Sequence, residues 1–205
     1  MSLGSLTLVS VLTIRTLPDP VLRSKTSQIA KARFGSAGLQ RLIDSMHQTM
    51  DAVSGVGLAG PQVGIGQAIF VFHLDERRGH VINPVIETWG DAVQDTTEGC
   101  LSVPELYFTP SRAQYAKVTG VDVNGKDVEY EGEGLFARML QHEVDHLDGY
   151  LFVDRLADEQ FRQARRAMAS AEFAATTRRI NAERAVDTSS TFGAGSAFMP
   201  DTGRG

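Results

Sequence analysis

Two histidines and two acids crowd into five consecutive positions, His142-Glu143-Val144-Asp145-His146, within a segment that is otherwise mostly apolar. That segment runs from about Gly134 to Asp148, with Gly149 at its end. Leu135, Phe136, Met139, Leu140, His142, Val144, His146 and Leu147 cover most of a helix's circumference there, which predicts a largely buried helix. Only a narrow stripe, Arg138, Gln141, Asp145 and Asp148, is left to face water. Histidines four positions apart share one helix face, so both rings can reach a single ion. Glu143 is turned by about 100° from His142, which sets it beside such an ion, where it can serve a water. A pair of core histidines with a chance glutamate is the bland alternative. It is disfavoured because burying these groups without a ligand is costly.

A catalytic metal site needs a third protein ligand and one open position. One class of HExxH enzymes supplies a histidine three residues after the glycine of HExxHxxG. Here Phe152 stands at that position, so that pattern fails. A second class uses a downstream glutamate, for which Glu159 and Glu172 are available. The third candidate lies upstream, in Glu98-Gly99-Cys100-Leu101-Ser102. Thiolates bind zinc and ferrous iron strongly, and Gly99 allows close backbone approach. Cys100 has the better chemical claim, although residue chemistry alone does not exclude the glutamates.

The rest of the chain reads as α+β, with antiparallel or mixed strands around the buried helix that carries HEVDH. Pro18-Asp19-Pro20 marks a turn. Ser36 can cap a first helix whose Leu39, Leu42, Ile43, Met46, Met50 and Val53 recur at helical spacing before Gly55. Residues 67–74 and 81–89 read as strands, with Pro84 placing the second at an edge or a bulge. Residues 113–133 read as a hairpin turning at Asn124-Gly125. The chain is expected to comprise one catalytic domain over residues 1–157, a helix over 158–185 and a disordered tail over 186–205.

Gly55-Val56-Gly57-Leu58-Ala59-Gly60 matches G-x-G-x-x-G, with Asp75 downstream, but a dinucleotide site needs a strand before it and a helix after it. An amphipathic helix precedes this run, and Pro61, Gly64 and Gly66 disfavour a helix after it. A loop whose backbone passes close to substrate, with Gln62 offering an amide donor, is the better reading. The net charge of −5 and the lack of any basic block argue against a general nucleic-acid or membrane-surface binder, and no direct sequence-specific nucleic-acid partner is expected. The first twelve residues lack the charged start and cleavage site of a secretory signal. The lone Cys100 excludes an internal disulfide framework, so a cytoplasmic location is expected.

Three segments in this order resemble the peptide deformylase family: Gly55-Val56-Gly57-Leu58-Ala59-Gly60-Pro61-Gln62, Glu98-Gly99-Cys100-Leu101-Ser102 and Gln141-His142-Glu143-Val144-Asp145-His146-Leu147. The likeness extends from about Leu17 to Leu156 and includes the DPVLR stretch at residues 19–23. It implies a hydrolase that removes the formyl group from the formyl-methionine of nascent peptides. It further implies Cys100, His142 and His146 as ligands of one divalent metal ion, usually Fe2+, with Zn2+, Ni2+ or Co2+ also accepted. Glu143 is implied as the general acid/base, and Gln62 and the Leu101 N–H as oxyanion donors. Val56, Gly57, Gly99, Leu135, Arg138 and Met139 are the expected substrate-side residues.

Many members of that family carry Ala-Ala where this chain has Ala59-Gly60, a change expected to add backbone freedom to the loop aiming Gln62. Arg162, Arg165, Arg166, Arg178, Arg179 and Arg184 in the 158–185 segment read first as a solvated surface helix, with contact with the ribosome as the alternative. Two rival readings stand beside the deformylase one: a zinc peptidase of another HExxH class, and a non-catalytic module stabilised by metal.

Overall fold

The computed structural model describes residues 10–187. Seven strands and four helices run in the order α1 (Ala37–Ala52), β1 (Gly57–Ala59), β2 (Ile69–Leu74), β3 (Arg77–Asp95), β4 (Glu98–Cys100), β5 (Val103–Phe108), β6 (Ser111–Val121), β7 (Asp127–Glu133), α2 (Gly134–Leu147), α3 (Asp158–Met168) and α4 (Ala171–Asp187). Five strands form one antiparallel sheet in the order β1-β2-β3-β6-β7, while β4 and β5 pair separately. This is the expected α+β class, with α2 buried against the sheet. No helix among the described residues is long and apolar enough to cross a membrane.

Helix α1 begins where its sequence can cap it: the Ser36 hydroxyl accepts from the Leu39 N–H at 3.3 Å. Its Leu39, Ile43, Met46 and Met50 are buried with Leu58, Ile69, Val71 and Ile82 in one apolar cluster. A second cluster lies between α2 and the sheet, where Met139, Leu140 and Val144 meet Phe70, Phe72, Val81 and Val118. Helix α2 ends as Gly149 turns left-handed at φ +81°. A side chain at Gly149 would come within 3.0 Å of the Arg23 backbone, so glycine is required twice over.

Strand β3 is longer than the 81–89 run, and it is a central strand, paired on both sides. Pro84 therefore marks a bulge and not an edge. The register with β6 shifts between Ile82 and Val85, with Asn83 left-handed at φ +52°. The Asn83 side chain holds the bulge by accepting from the Ile29 N–H (2.8 Å) and donating to the Ile29 carbonyl (2.9 Å).

Residues 158–185, expected as one helix, form two. Helix α3 stops at Ala169, and the Ser170 hydroxyl accepts from the Phe173 N–H at 3.0 Å as α4 begins. Both helices pack on a third cluster, where Ala164 and Phe173 join Cys100, Val103, Leu151 and Phe152. The tail expected over residues 186–205 lies outside the described residues from residue 188 onward, as do residues 1–9.

Candidate metal centre

The tight β4–β5 hairpin carries Cys100 at the end of β4, opposite Val103. One turn of α2 separates the His142 and His146 rings, whose centroids are 4.9 Å apart. The ligand atoms of Cys100, His142 and His146 all lie within 4.8 Å of one another, and all three residues are buried. Among the described residues no other such group of three exists. Cys100 Sγ and His146 Nε2 are 3.3 Å apart. Metal–donor bonds of roughly 2.0–2.3 Å at tetrahedral angles place donors roughly 3.5 Å apart, so this set fits a four-coordinate ion with one corner left for water. Glu159 instead sits exposed on α3, paired with Arg162 (2.9 Å) and Arg166 (3.0 Å), and Glu172 is exposed on α4. Neither glutamate joins the group, so the downstream-glutamate alternative has no support in the fold.

A chain of charges orients the first histidine. His142 Nδ1 lies 3.0 Å from Glu98 Oε2, which tethers the ring and leaves its other nitrogen to face the site. Arg112 grips the Glu98 carboxylate at 2.8 and 3.0 Å and reaches Asp145 at 2.5 Å. Asp145 is held in turn by Arg155 at 2.5 and 3.1 Å. Burial alone would raise the Glu98 carboxyl, but His142 and Arg112 outweigh it and bring its pKa down to about 2. Burial would likewise raise the Cys100 thiol, yet the neighbouring imidazoles hold it well below its ordinary value, in the thiolate form that metals bind. Sequence reading missed this chain, although a signal existed. A histidine ligand needs a partner for its second nitrogen, and Glu98 lay inside one of the quoted motifs.

Glu143 behaves differently from its neighbours. It is fully enclosed, and its Oε2 has no hydrogen-bond partner among the described residues. Burial is the main reason its pKa rises to about 7. The carboxyl lies against β1, where a methyl on Gly57 would come within 2.7 Å of the Glu143 Cδ. Any side chain there would push the Glu143 carboxyl out of its place. Gln62 is buried on the short 3-10 helix Gly60–Val63. Its Oε1 accepts from the Ala59 N–H at 2.8 Å. Because that backbone group can only donate, the amide orientation is set, and Nε2 is turned to within 3.7 Å of Cys100 Sγ. The expected looseness at Gly60 is opposed by its packing: a methyl there would lie 2.7–2.8 Å from the Gln67 and Ile65 carbonyls. Glycine is what this loop path requires, and its neighbours confine it.

The stripe expected to face water is mostly covered. Arg138 and Asp145 are buried, and only Asp148 is exposed, beside Lys25 at 2.9 Å. The hydrogen-bonding partners lie on β3, β6 and the β3–β4 link: Arg138 donates to Gln94 Oε1 (3.1 Å), the Gln94 carbonyl (3.2 Å) and the Thr96 carbonyl, while Gln141 bonds both the N–H and carbonyl of Ala113. Of the expected pocket walls, Met139 is fully buried in the α2–sheet cluster and Val56 packs against its border. Leu135 is 38% exposed and lines a concavity of about 340 Å³ with Leu74, Arg77 and Phe136. Gly99 is buried in β4, and Leu101 occupies the β4–β5 turn.

Two imidazoles and a thiolate converging beside a buried carboxyl of raised pKa, on a core helix of an α+β fold, define a metal-dependent hydrolase. Residues 11–162 match the family model described as polypeptide deformylase. A peptide deformylase of Mycobacterium ulcerans is 48% identical over 177 residues, spanning 79% of this chain and 89% of that protein. The crystal structure of the Thermus thermophilus peptide deformylase superposes with a TM-score of 0.73 at 39% identity, covering 84% of this chain and 99% of that one. A Met-Ala-Ser-bound peptide deformylase of Acinetobacter baumannii gives 0.70 at 32% identity, covering 73% and 100%. The chain belongs to the peptide deformylase family.

Proposed function

We propose that this enzyme hydrolyses the formyl group from the N-terminal formyl-methionine of newly made polypeptides, releasing formate, with Glu143 as general acid/base. The observation that carries the reading is the unpartnered Glu143 carboxyl, at a pKa of about 7, beside a Cys-His-His set. Cys100, His142 and His146 would hold one divalent ion, Fe2+ by the family's habit, with Zn2+, Ni2+ or Co2+ as alternatives. When bound, such an ion would supply Lewis acidity, making a water easier to deprotonate. Glu143 accepts a proton from the attacking water, whose oxygen adds to the formyl carbon. Negative charge gathers on the formyl oxygen, where Gln62 Nε2 and the Leu101 N–H donate. Glu143 then hands its proton to the departing amine, and the C–N bond breaks to give formate and a free N-terminus. Gly57 leaves room for the Glu143 carboxyl beside the substrate path, and Gly99 would keep the β4 backbone open to the substrate chain. Val56, Leu135 and Met139 would offer apolar walls to the methionine side chain. Arg138 would act from beneath, through the Gln94 and Thr96 backbone it holds.

Formyl-Met-Ala-Ser offered beside a longer, unformylated peptide tests the reading. Formate release with no internal cleavage is expected; cleavage within the longer peptide would make the chain a peptidase instead. A cytoplasmic site of action suits a single buried thiol. Contact with the ribosome through residues 158–185 is a further part of the proposal, because the substrate emerges there. Exposed Arg165 and Arg178 remain for it, whereas Arg162 and Arg166 pair with Glu159, and Arg179 with Glu105 and Glu183. Replacing Arg165 and Arg178 together should reduce co-sedimentation with ribosomes, and unchanged co-sedimentation would remove this contact.

A further inference from the structure

The last helix lies beyond residue 162, where the family match stops, yet one of its side chains reaches the turn that follows the cysteine. Phe173, Thr177, Ile180 and Arg184 recur at helical spacing on the inner face of α4. Phe173 is buried in the cluster that holds Cys100 and Val103, and Thr177 is buried beside it in sequence on the same face. Asn181 Nδ2 donates to Thr16 Oγ1 at 2.8 Å, and Arg179 pairs with Glu105 on β5 at 2.5 Å. With the helix anchored in this way, half-buried Arg184 donates from Nη1 to the Leu101 carbonyl at 3.0 Å.

That carbonyl belongs to the Leu101–Ser102 peptide, whose N–H donates to Cys100 Sγ at 3.4 Å. In a trans peptide the N–H and C=O point to opposite sides of one rigid plane. The plane is therefore held at both ends, by the sulfur on one side and by the guanidinium on the other. Rotating it would break both bonds and would also turn the backbone at Leu101, whose own N–H lies in the preceding peptide. The next peptide is held as well, its Ser102 carbonyl accepting from the Leu17 N–H at 3.0 Å.

We propose that Arg184 is a positioning residue: it locks the Leu101–Ser102 peptide so that the Ser102 N–H stays on the Cys100 sulfur and the Leu101 N–H stays aimed at the formyl oxygen. The inference deepens the proposed function and rests on the oxyanion role given there to Leu101. It makes α4 a working part of the active site, since a helix outside the matched family segment sets the aim of a donor inside it.

Arg184→Ala, Arg184→Lys and Asn181→Ala in the full chain test it, the last as a helix-anchoring control that leaves Leu101 untouched. In Arg184→Ala the Leu101 and Ser102 amides should exchange with deuterium about ten- to a hundredfold faster, the effect of losing one charge-assisted hydrogen bond. On formyl-Met-Ala-Ser, kcat should fall by about tenfold with KM unchanged. Affinity for Met-Ala-Ser, which has no formyl oxygen, should not move. Arg184→Lys should recover part of both losses, and Asn181→Ala should produce neither, because Phe173, Thr177 and the Arg179–Glu105 pair still hold α4 in place. Unchanged exchange at these amides would overturn the proposal, as would equal effects from Asn181→Ala. A wild-type protein that released no formate would defeat the function instead, while the exchange comparison still judged Arg184.

Discussion

Replacing Glu143 with alanine lowers formate release by about a thousandfold while the protein keeps its metal. The magnitude is that of removing a general base that also serves as acid, the role proposed for Glu143, typically about 10² to 10⁴ in rate. Metal retention follows from geometry, because Glu143 is no member of the set formed by Cys100, His142 and His146. Stability should not suffer much either. The carboxyl is buried without a partner on Oε2, and an unsatisfied polar atom destabilises the fold that contains it. Truncation therefore loses some packing but relieves a desolvated group. The measurement pairs metal content per chain with kcat on formyl-Met-Ala-Ser. Wild-type turnover in a metal-loaded Glu143→Ala protein would assign the proton transfers to some other group. Joint loss of metal and activity would instead make Glu143 a ligand.

The same arrangement explains which parts of the molecule were legible in the sequence. Helix α2 was, because its apolar residues, its histidines and Gly149 each speak through local spacing, and all three agree. The cap at Ser36 and the turn at Asn124-Gly125 were legible for the same reason: each depends on a few adjacent residues. Strand β3 was only half legible. Its first residues, Arg77-Arg78-Gly79-His80, are charged and flexible, and pairing with β2 across the Asp75-Glu76 turn makes them a strand. Pairing of that kind is tertiary and leaves little local pattern. The failed stripe on α2 has a related cause. Arg138 and Asp145 look solvated in a helical projection, but Gln94 and Thr96, Arg112 and Arg155 come from distant segments to satisfy them. Burial of a charge depends on partners that a projection cannot display.

For the site, residue types were legible and their supports were not. HEVDH and the cysteine motif could be quoted, and the fold brings their ligand atoms together. Much of what orients them comes from afar, Arg112 on β6 for Glu98 and the proposed Arg184 on α4 for Leu101, while Gln62 is set by the Ala59 N–H three residues before it. These supports are long-range hydrogen bonds or single backbone contacts, and none has a spacing signature. The helix break at Ser170 escaped for a different reason. The run 158–185 is rich in alanine and arginine, good helix formers on both sides of the break, so local propensity favours continuity.

Replacing Cys100 with alanine should strip the protein of metal and, with it, of turnover. Changing a residue that merely orients a ligand costs about 10- to 100-fold in metal affinity, so removing one of three ligands should cost at least about a hundredfold. Thiolate is also the softest donor of the set, and its loss falls hardest on zinc and ferrous iron. The fold should survive. Cys100 is a small side chain at the edge of a cluster built on Val103, Leu151, Phe152 and Phe173, so the cavity left by sulfur costs about 1 kcal/mol. Metal content after dialysis and denaturant unfolding of the metal-free protein separate the two effects, because bound metal stabilises by mass action whereas packing does not. Glu159→Ala should match wild type in both measurements, since its carboxylate is occupied by Arg162 and Arg166 on an exposed face. Full metal retention in Cys100→Ala would place the third donor elsewhere and undo the assignment of this hairpin. Retention lost only together with folding would make the thiol a core group and not a ligand.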